Sequence, residues 1–555
     1  MTGVKRRNTV TAAVLEVKNS PVIVSNISAQ DIKLTQDANA GEVIRRVPGV
    51  SLIDDKFVMV RGLAQRYNNV WMNGGAVPSS EADQRAFSFD MIPSNQIDNL
   101  TIVKSPTPEY PADYTGGFIM IDTKEIPLEN AFHVSVGGNW NSASAFKSFL
   151  GTKQSGADFL GFDNGLCSLH GGIDATLADL GKNSGGNTMY SLSDNHLNND
   201  WTVKNQHPWG DLKLSADWSH SWTLPAGKLG AIAAVNYTND IHAGVRFEYN
   251  RMELISNTKS YETSHESHYY RHSDLFPSAN ATYKLDEKNQ IRLSYGRSVN
   301  RPEFREVSPS VYYDFDLASN VEGNFNLKNC YVDNLDVRYE WYPSRGEMIS
   351  LAAFYKHFDS PIEWVYTMSG GTDVIYSYAN ARSANNYGLE LDVRKNLAFM
   401  GLPDFNWSFN GSLIHSRVNF EPGSNEESRA MQGQSPYLVN TGLFYKNRPL
   451  ALDIALLYNR IGKRIVGIGR AEGMDRSVKV PNSYEMPRDA FDLTVSKRFG
   501  ERIEVKLAAR DLLNQNIIFK QFTTVSLNVS SKKVQEVTRR YKPGRNLQAT
   551  VIVKL

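Results

Sequence analysis

Three histidines, His265, His268 and His272, stand close together with Glu262 and Glu266 interleaved. Imidazoles and carboxylates at that density could hold a metal ion or a haem iron. Their spacing fits no zinc signature, and the same residues also make an ordinary solvated loop. A second polar run, Ser79, Ser80, Glu81, Asp83 and Arg85, follows the turn Asn73-Gly74-Gly75. It offers hydroxyls, carboxylates and a guanidinium to a ligand, or it forms a hydrogen-bonded loop against a neighbouring wall. No Gly-x-Ser-x-Gly, phosphate loop or His-Glu-x-x-His occurs, so no catalytic constellation points to an enzyme and none calls for a cofactor. Cys167 and Cys330 are two distant thiols that define neither a disulfide framework nor a metal site.

The elements that position these residues change character along the chain. Residues 1–20 are polar and read as a disordered segment. Residues 21–127 mix short helix and strand signals. Asp37–Arg46 has a helical pattern stopped by Pro48-Gly49, and Phe57–Val60, Asn69–Met72, Leu100–Val103 and Phe118–Ile121 read as short strands. This predicts an α/β globule of ordinary domain size. Residues 128–555 are governed by strict two-residue alternation. Leu335, Val337, Tyr339 and Trp341 alternate with Asp336, Arg338 and Glu340, and Leu389, Leu391 and Val393 with Glu390, Asp392 and Arg394.

No run of about 20 apolar residues exists for a membrane helix, yet strands that alternate can cross a bilayer without one. A soluble sandwich also alternates. Here the strands are about ten residues long, as a tilted crossing needs, and their polar face carries charges of both signs. Tight turns such as Ser344-Arg345-Gly346 alternate with long polar loops such as 143–209 and 303–330. These features predict an antiparallel transmembrane β-barrel whose apolar residues face outer-membrane lipid. The 26 Tyr and 25 Phe suit interfacial girdles, and equally a β-rich packing. A net charge of +1 gives no field for nucleic acid.

The globule supplies the family resemblance. Val47-Pro48-Gly49-Val50, Val60-Arg61-Gly62, Asn73-Gly74-Gly75, Ile102-Val103-Lys104-Ser105 and Tyr114-Thr115-Gly116-Gly117-Phe118-Ile119-Met120-Ile121 occur in this order. Followed by a barrel, they resemble the plug motifs of the TonB-dependent outer-membrane receptor and transporter family. Arg301-Pro302, Gly323-Asn324 with Leu327-Lys328, and Tyr541-Lys542-Pro543-Gly544-Arg545 are also similar to the family, whereas the terminal Leu555 departs from its usual aromatic end. The resemblance implies a plug inside a bacterial outer-membrane barrel. It implies uptake of a scarce, bulky ligand (siderophore, haem or carbohydrate) by plug movement coupled to TonB in the periplasm. It places ligand contact at residues 79–85, and Arg85–Asp90 resembles a subgroup linked to carbohydrate. Arg61 is expected to pair with barrel carboxylates and lock the plug. Met1-Thr2-Gly3 is either the tail of a TonB box or a chance match. No apolar leader follows the basic N-terminus, so an exported chain is expected to have lost its signal or to begin inside a longer gene.

Counting strands exposes a conflict. The turn-and-loop rule gives fourteen or fifteen strands against twenty-two in the family, with two successive up-strands (229–239 and Val245–Tyr249) meeting near residues 238–244. An internal deletion joined there is the expectation. Fourteen strands close at a radius of roughly 14 Å, whereas a compact plug of this size is a sphere of roughly 17 Å. Either the plug is displaced or the wall stays open at a seam. A transport-incompetent remnant and a passive porin are therefore alternatives to a working receptor.

Overall fold

The computed structural model describes residues 8–81, 85–124, 130–151, 202–224, 227–239, 274–308, 310–314, 319–369, 373–422, 426–472, 478–527 and 530–555, with a few short pieces between them, Phe247–Glu248 included.

The N-terminal globule runs α1 (Val10–Asn19), β1 (Val24–Ser28), α2 (Ala29–Thr35), α3 (Ala40–Ile44), β2 (Val50–Ile53), β3 (Phe57–Val60), β4 (Asn69–Met72), β5 (Gly75–Ala76), β6 (Ile97–Val103) and β7 (Phe118–Thr123). Five of its strands form one sheet in the order β1-β6-β7-β4-β5, and β2 pairs with β3 as a hairpin. Its core is Ile44, Val60, Leu100, Ile102, Ile119 and Ile121, all fully buried. Local signals set the helices. Ser28 and Asp31 form a capping box on α2, and Asn39 caps α3 at the amide of Glu42.

The expectation of disorder over residues 1–20 is corrected by helix α1 over Val10–Asn19, and residues 1–7 lie outside the described residues. Val10, Ala13, Val14 and Val17 recur at helical spacing, and Thr9 accepts the amide of Ala12 at 3.2 Å. Val14 and Val17 pack with Val22, Val24, Val103, Tyr342 and Met348. At its C-terminal end the guanidinium of Arg292 donates to the carbonyls of Val17 and Lys18 at 2.9 Å, satisfying groups that a helix leaves unpaired.

The wall follows. Its strands are β8 (Ala131–Asn141), β9 (Asp211–Leu224), β10 (Gly227–Asn239), β11 (Ser278–Lys284), β12 (Asn289–Asn300), β13 (Cys330–Trp341), β14 (Met348–Asp359), β15 (Ser383–Leu397), β16 (Leu402–Asn419), β17 (Tyr437–Asn447), β18 (Leu452–Ile461), β19 (Arg488–Phe499), β20 (Ile503–Arg510) and β21 (Asn546–Lys554). They form one fourteen-stranded sheet in which the last strand, β21, pairs with the first, β8. Burial follows the alternation. On β13, Leu335, Val337, Tyr339 and Trp341 are 39–49% exposed, whereas Asp336, Arg338 and Glu340 are at most 4% exposed. The apolar residues thus face outward, where lipid is the solvent, and the charges face the globule.

The plug is not displaced: its residues meet side chains from β12 through β20, as described below. The sheet instead ends at β10 and β11, which are not paired with each other among the described residues. Of the expected up-strand Val245–Tyr249 only Phe247 and Glu248 are described; they pair antiparallel with Arg540 and Arg539, in the hairpin of Ile517–Leu527 and Ser530–Tyr541 that extends beyond the wall.

Replacing Val14 by Asp, or removing the α1 cap with Arg292→Ala, should each destabilise α1 docking by about 1–3 kcal/mol. Amide exchange over residues 10–19 should then accelerate while β13 and β14 stay protected. Unchanged protection of 10–19 in both variants would show that α1 is not held this way.

Candidate functional site

Arg61 follows β3 with a left-handed backbone (φ 55°), and Gly62 continues it (φ 75°). The turn is held from both sides. The Arg61 amide donates to the Gly49 carbonyl at 2.6 Å, and Asn386 on β15 donates to the Arg61 carbonyl at 2.9 Å. It drives the guanidinium, which is wholly buried, into the wall. Nη1 meets Asp336 on β13 at 2.5 Å, Nη2 meets Glu390 on β15 at 3.0 Å, and the group lies 4.4 Å over the ring of Phe354 on β14. Asp336 and Glu390 are thus the wall carboxylates that Arg61 meets.

Other plug motifs converge on the same spot. Lys104, just past β6, donates to the Pro48 carbonyl at 2.7 Å and sits 3.3 Å from both oxygens of Glu390. Burial pushes its ammonium down to about 8, against the pull of Glu390 in the other direction. Lys356 on β14 reaches back to the Thr115 carbonyl at 2.7 Å. Gly49 (φ 70°) must be glycine, because a Cβ there would lie 2.1 Å from Glu390 Oε1. At Gly117, a Cβ would lie 2.9 Å from Ile102.

Two further clasps hold the plug. Arg338 donates to the Val24 carbonyl and Arg394 to that of Asn26, at 2.9 and 2.8 Å, so wall cations grip the main chain of β1. Farther along the sheet Arg510 of β20 binds Glu42 and the Gln36 carbonyl, and between them Asn410 and Asn440 take the carbonyls of Arg46 and Arg45. Burial alone would raise the Glu42 carboxyl; Arg510 and Arg45 override it and hold it at about 2. Where long loops leave the wall, Arg66 binds Glu306 bidentately at 2.6 and 2.9 Å. The charges that the alternation assigned to a wet or polar-filled lumen are thus largely buried against the plug.

The polar run of the plug is tied to itself. Ser79 Oγ donates to the carbonyls of Glu81 and Ala86 at 2.9 and 2.8 Å, and Ser80 Oγ accepts the amide of Ser88. Arg85 pairs with Asp113 at 2.8 Å, and both act on Glu303, at the mouth of the loop after β12. Ser79 and Ser80 are exposed. Asp83, His265, His268, His272 and Met1-Thr2-Gly3 lie outside the described residues, as does Cys167. Cys330 is buried beside Tyr67 and Phe358. Sequence reasoning missed the aromatic group beyond the wall, in which the rings of Trp364 and Tyr378 meet at a tilt of 40° with centroids 4.4 Å apart and Arg305 lies 3.7 Å over Tyr312. Its signal was the density of Tyr and Trp in 311–378.

Removing Arg61 strands the buried Asp336 and leaves Glu390 to Lys104 alone, so Arg61→Met should lower plug stability by about 3–5 kcal/mol, read as a shift of the plug's urea transition. Arg61→Met with Asp336→Leu should recover part of it; an additive double variant would deny the coupling. The pH prediction follows from Glu42. Its carboxyl is held below its ordinary 4.5, so its contribution is complete above that value and is lost as pH falls towards 2. Acid release of residues 36–46, followed by hydrogen exchange, should flatten in Glu42→Gln between pH 5 and 2. An unchanged acid profile would remove Glu42 from the account.

Comparison with known proteins agrees with this architecture. The model of the outer membrane protein beta-barrel family matches residues 234–544, and that of the TonB-dependent receptor plug domain matches residues 16–118. The vitamin B12 transporter BtuB of Photobacterium profundum is 30% identical over 128 residues, which span 22% of this chain and 21% of that transporter. The chain thus matches about a fifth of the length of that curated relative. Among solved structures, the siderophore receptor PirA from Acinetobacter baumannii aligns with a TM-score of 0.57 at 13% identity, over 97% of this chain and 99% of that one. The ferric citrate transporter FecA in its unliganded form aligns at 0.58 and 10% identity over the whole of both chains. At such identities the likeness is one of fold. With a model covering more than half its length and a plug at its head, the chain belongs to the outer membrane protein β-barrel family as a TonB-dependent receptor of the bacterial outer membrane.

Proposed function

We propose that this chain takes up a scarce, bulky ligand across the outer membrane, with TonB in the periplasm supplying the pull that moves the plug. The observation that carries the reading is the chemistry of the plug–wall interface. Around Arg61, β1 and Glu42 it is built from ion pairs and hydrogen bonds to main-chain carbonyls. A polar interface can be resolvated step by step as water enters, whereas a fused apolar core resists separation. The clasps on Val24 and Asn26 lie at the N-terminal end of the plug, where a pull from the periplasm would act first.

The ligand reading rests on relatives named for vitamin B12, a siderophore and ferric citrate, which favour a metal chelate over a carbohydrate. Ser79, Ser80, Glu81, Asp83 and Arg85 remain the proposed plug contacts, and Trp364, Tyr378 and Arg305 extend them on the wall side. The similar proteins are transporters and receptors, in keeping with a chain that is not an enzyme.

A second reading, a transport-incompetent remnant, is favoured by one observation: among the described residues the wall has fourteen strands and ends at β10 and β11. The plug within the wall disfavours a passive porin.

Uptake of labelled ferric siderophores and cobalamin into cells expressing the chain separates these readings. Accumulation that needs both TonB and the proton gradient supports the receptor. Binding or expression without TonB-dependent accumulation of any of them supports the remnant. Large steady conductance in a planar bilayer would support the porin.

A further inference from the structure

The outward side of the wall carries a groove of about 770 Å³ that uptake does not use. It crosses β19, β20, β21, β8 and β9, and register explains it. On one rung Gly138 faces Leu212 on one neighbour and Ala549 on the other, Ala549 faces Leu507, and Leu507 faces Val495. On the next rung Trp140 faces Leu547, which faces Ala509, which faces Leu493. These positions share the parity of the exposed Val136, Leu214 and Val551, so they point away from the plug. Gly138, Ala549 and Ala509 lack the bulk of their neighbours, and the floor drops between Trp140, Leu547 and Leu507. Asp211 borders the groove from the inward parity, where its carboxylate accepts from Asn139 at 2.7 Å.

The groove has a direction. Gly138 lies three residues below the end of β8 at Asn141, within about 10 Å of the rim from which the long loop departs. Long loops mark the outer face, so the groove occupies the outer-leaflet half. Its mouth is framed by Phe146 and Trp209, 72% and 63% exposed. The Phe146 amide donates to the Pro208 carbonyl at 2.6 Å, fixing the two rim segments together. An amphipathic ring such as that of Trp209 at such a level anchors at the lipid headgroups. Cations stand beside the two aromatics: Lys147 follows Phe146, Arg545 is exposed just before β21 with its Nε donating to the Leu512 carbonyl at 2.8 Å, and Lys542 is exposed in the same turn. The Arg545 carbonyl accepts the amide of Ser142, which brings this turn against the end of β8.

We propose that the groove seats an acyl chain of a phosphorylated outer-leaflet lipid, with the phosphate at Lys147, Lys542 and Arg545. The surface is bathed in acyl chains, a chain fits a floor of Gly and Ala between Leu walls, and the cationic mouth selects an anionic headgroup.

Native mass spectrometry of the whole protein, released from micelles containing equal dimyristoyl phosphatidic acid and dimyristoyl phosphatidylcholine, tests this. The wild type should retain one phosphatidic acid with a preference of at least about tenfold. Ala549→Leu with Ala509→Leu fills the groove and should abolish retention of that lipid. Lys147→Gln with Lys542→Gln and Arg545→Gln should erase the headgroup preference, and these rim variants decide the matter if the filled variant does not fold. Equal retention of the two lipids by the wild type, or undiminished phosphatidic acid on the filled variant, would overturn the proposal. Neither result depends on transport.

Discussion

The structure depends on one buried interaction, the guanidinium of Arg61 between Asp336 and Glu390. Three charges removed from water are costly unless each meets an opposite partner in good geometry. That geometry requires the left-handed turn at Arg61-Gly62, the glycine at 49 that lets Glu390 approach, and the strands β13 and β15 flanking Phe354. Lys104 and Lys356 then complete the contact by binding plug carbonyls. The plug cannot shift along the wall by one residue, about 3.3 Å, without pulling the Arg61 guanidinium out of hydrogen-bond reach of Asp336 and Glu390. Register is thus specified electrostatically as well as by the apolar pattern.

Much of this was legible in the sequence. The alternation in β13 and β15 assigned every inward charge and outward leucine, because a period of two leaves no freedom once one face is known. The plug motifs were legible as a set, and the structure gives their common cause: Pro48-Gly49, Arg61-Gly62, Lys104 and Thr115 all meet at one cluster. The run 79–85 was legible only as polar, since its hydroxyls and Arg85 are engaged within the plug and nothing in their order says whether a ligand would displace those bonds.

What was not legible has physical reasons. Helix α1 carries a narrow stripe of Val and Ala among polar residues, too weak to fold alone, and its stability comes from Arg292 and Tyr342 more than 270 residues away. A short strand at 247–248 carries no information about which sheet it will join. The arithmetic of barrel radius did expose a real constraint: among the described residues the sheet ends at β10 and β11, around a plug too large for fourteen closed strands.

The central claim is that the plug sits inside the wall, clamped at this cluster. Thr115 and Ser298 offer the most direct test, because their hydroxyl oxygens lie 2.9 Å apart across the interface. With the native cysteines replaced, Thr115→Cys with Ser298→Cys in oxidised outer membranes should form a disulfide in nearly every molecule, seen as a reducible shift in gel mobility. Free thiols at both positions, open to maleimide in folded protein, would mean that the plug lies elsewhere.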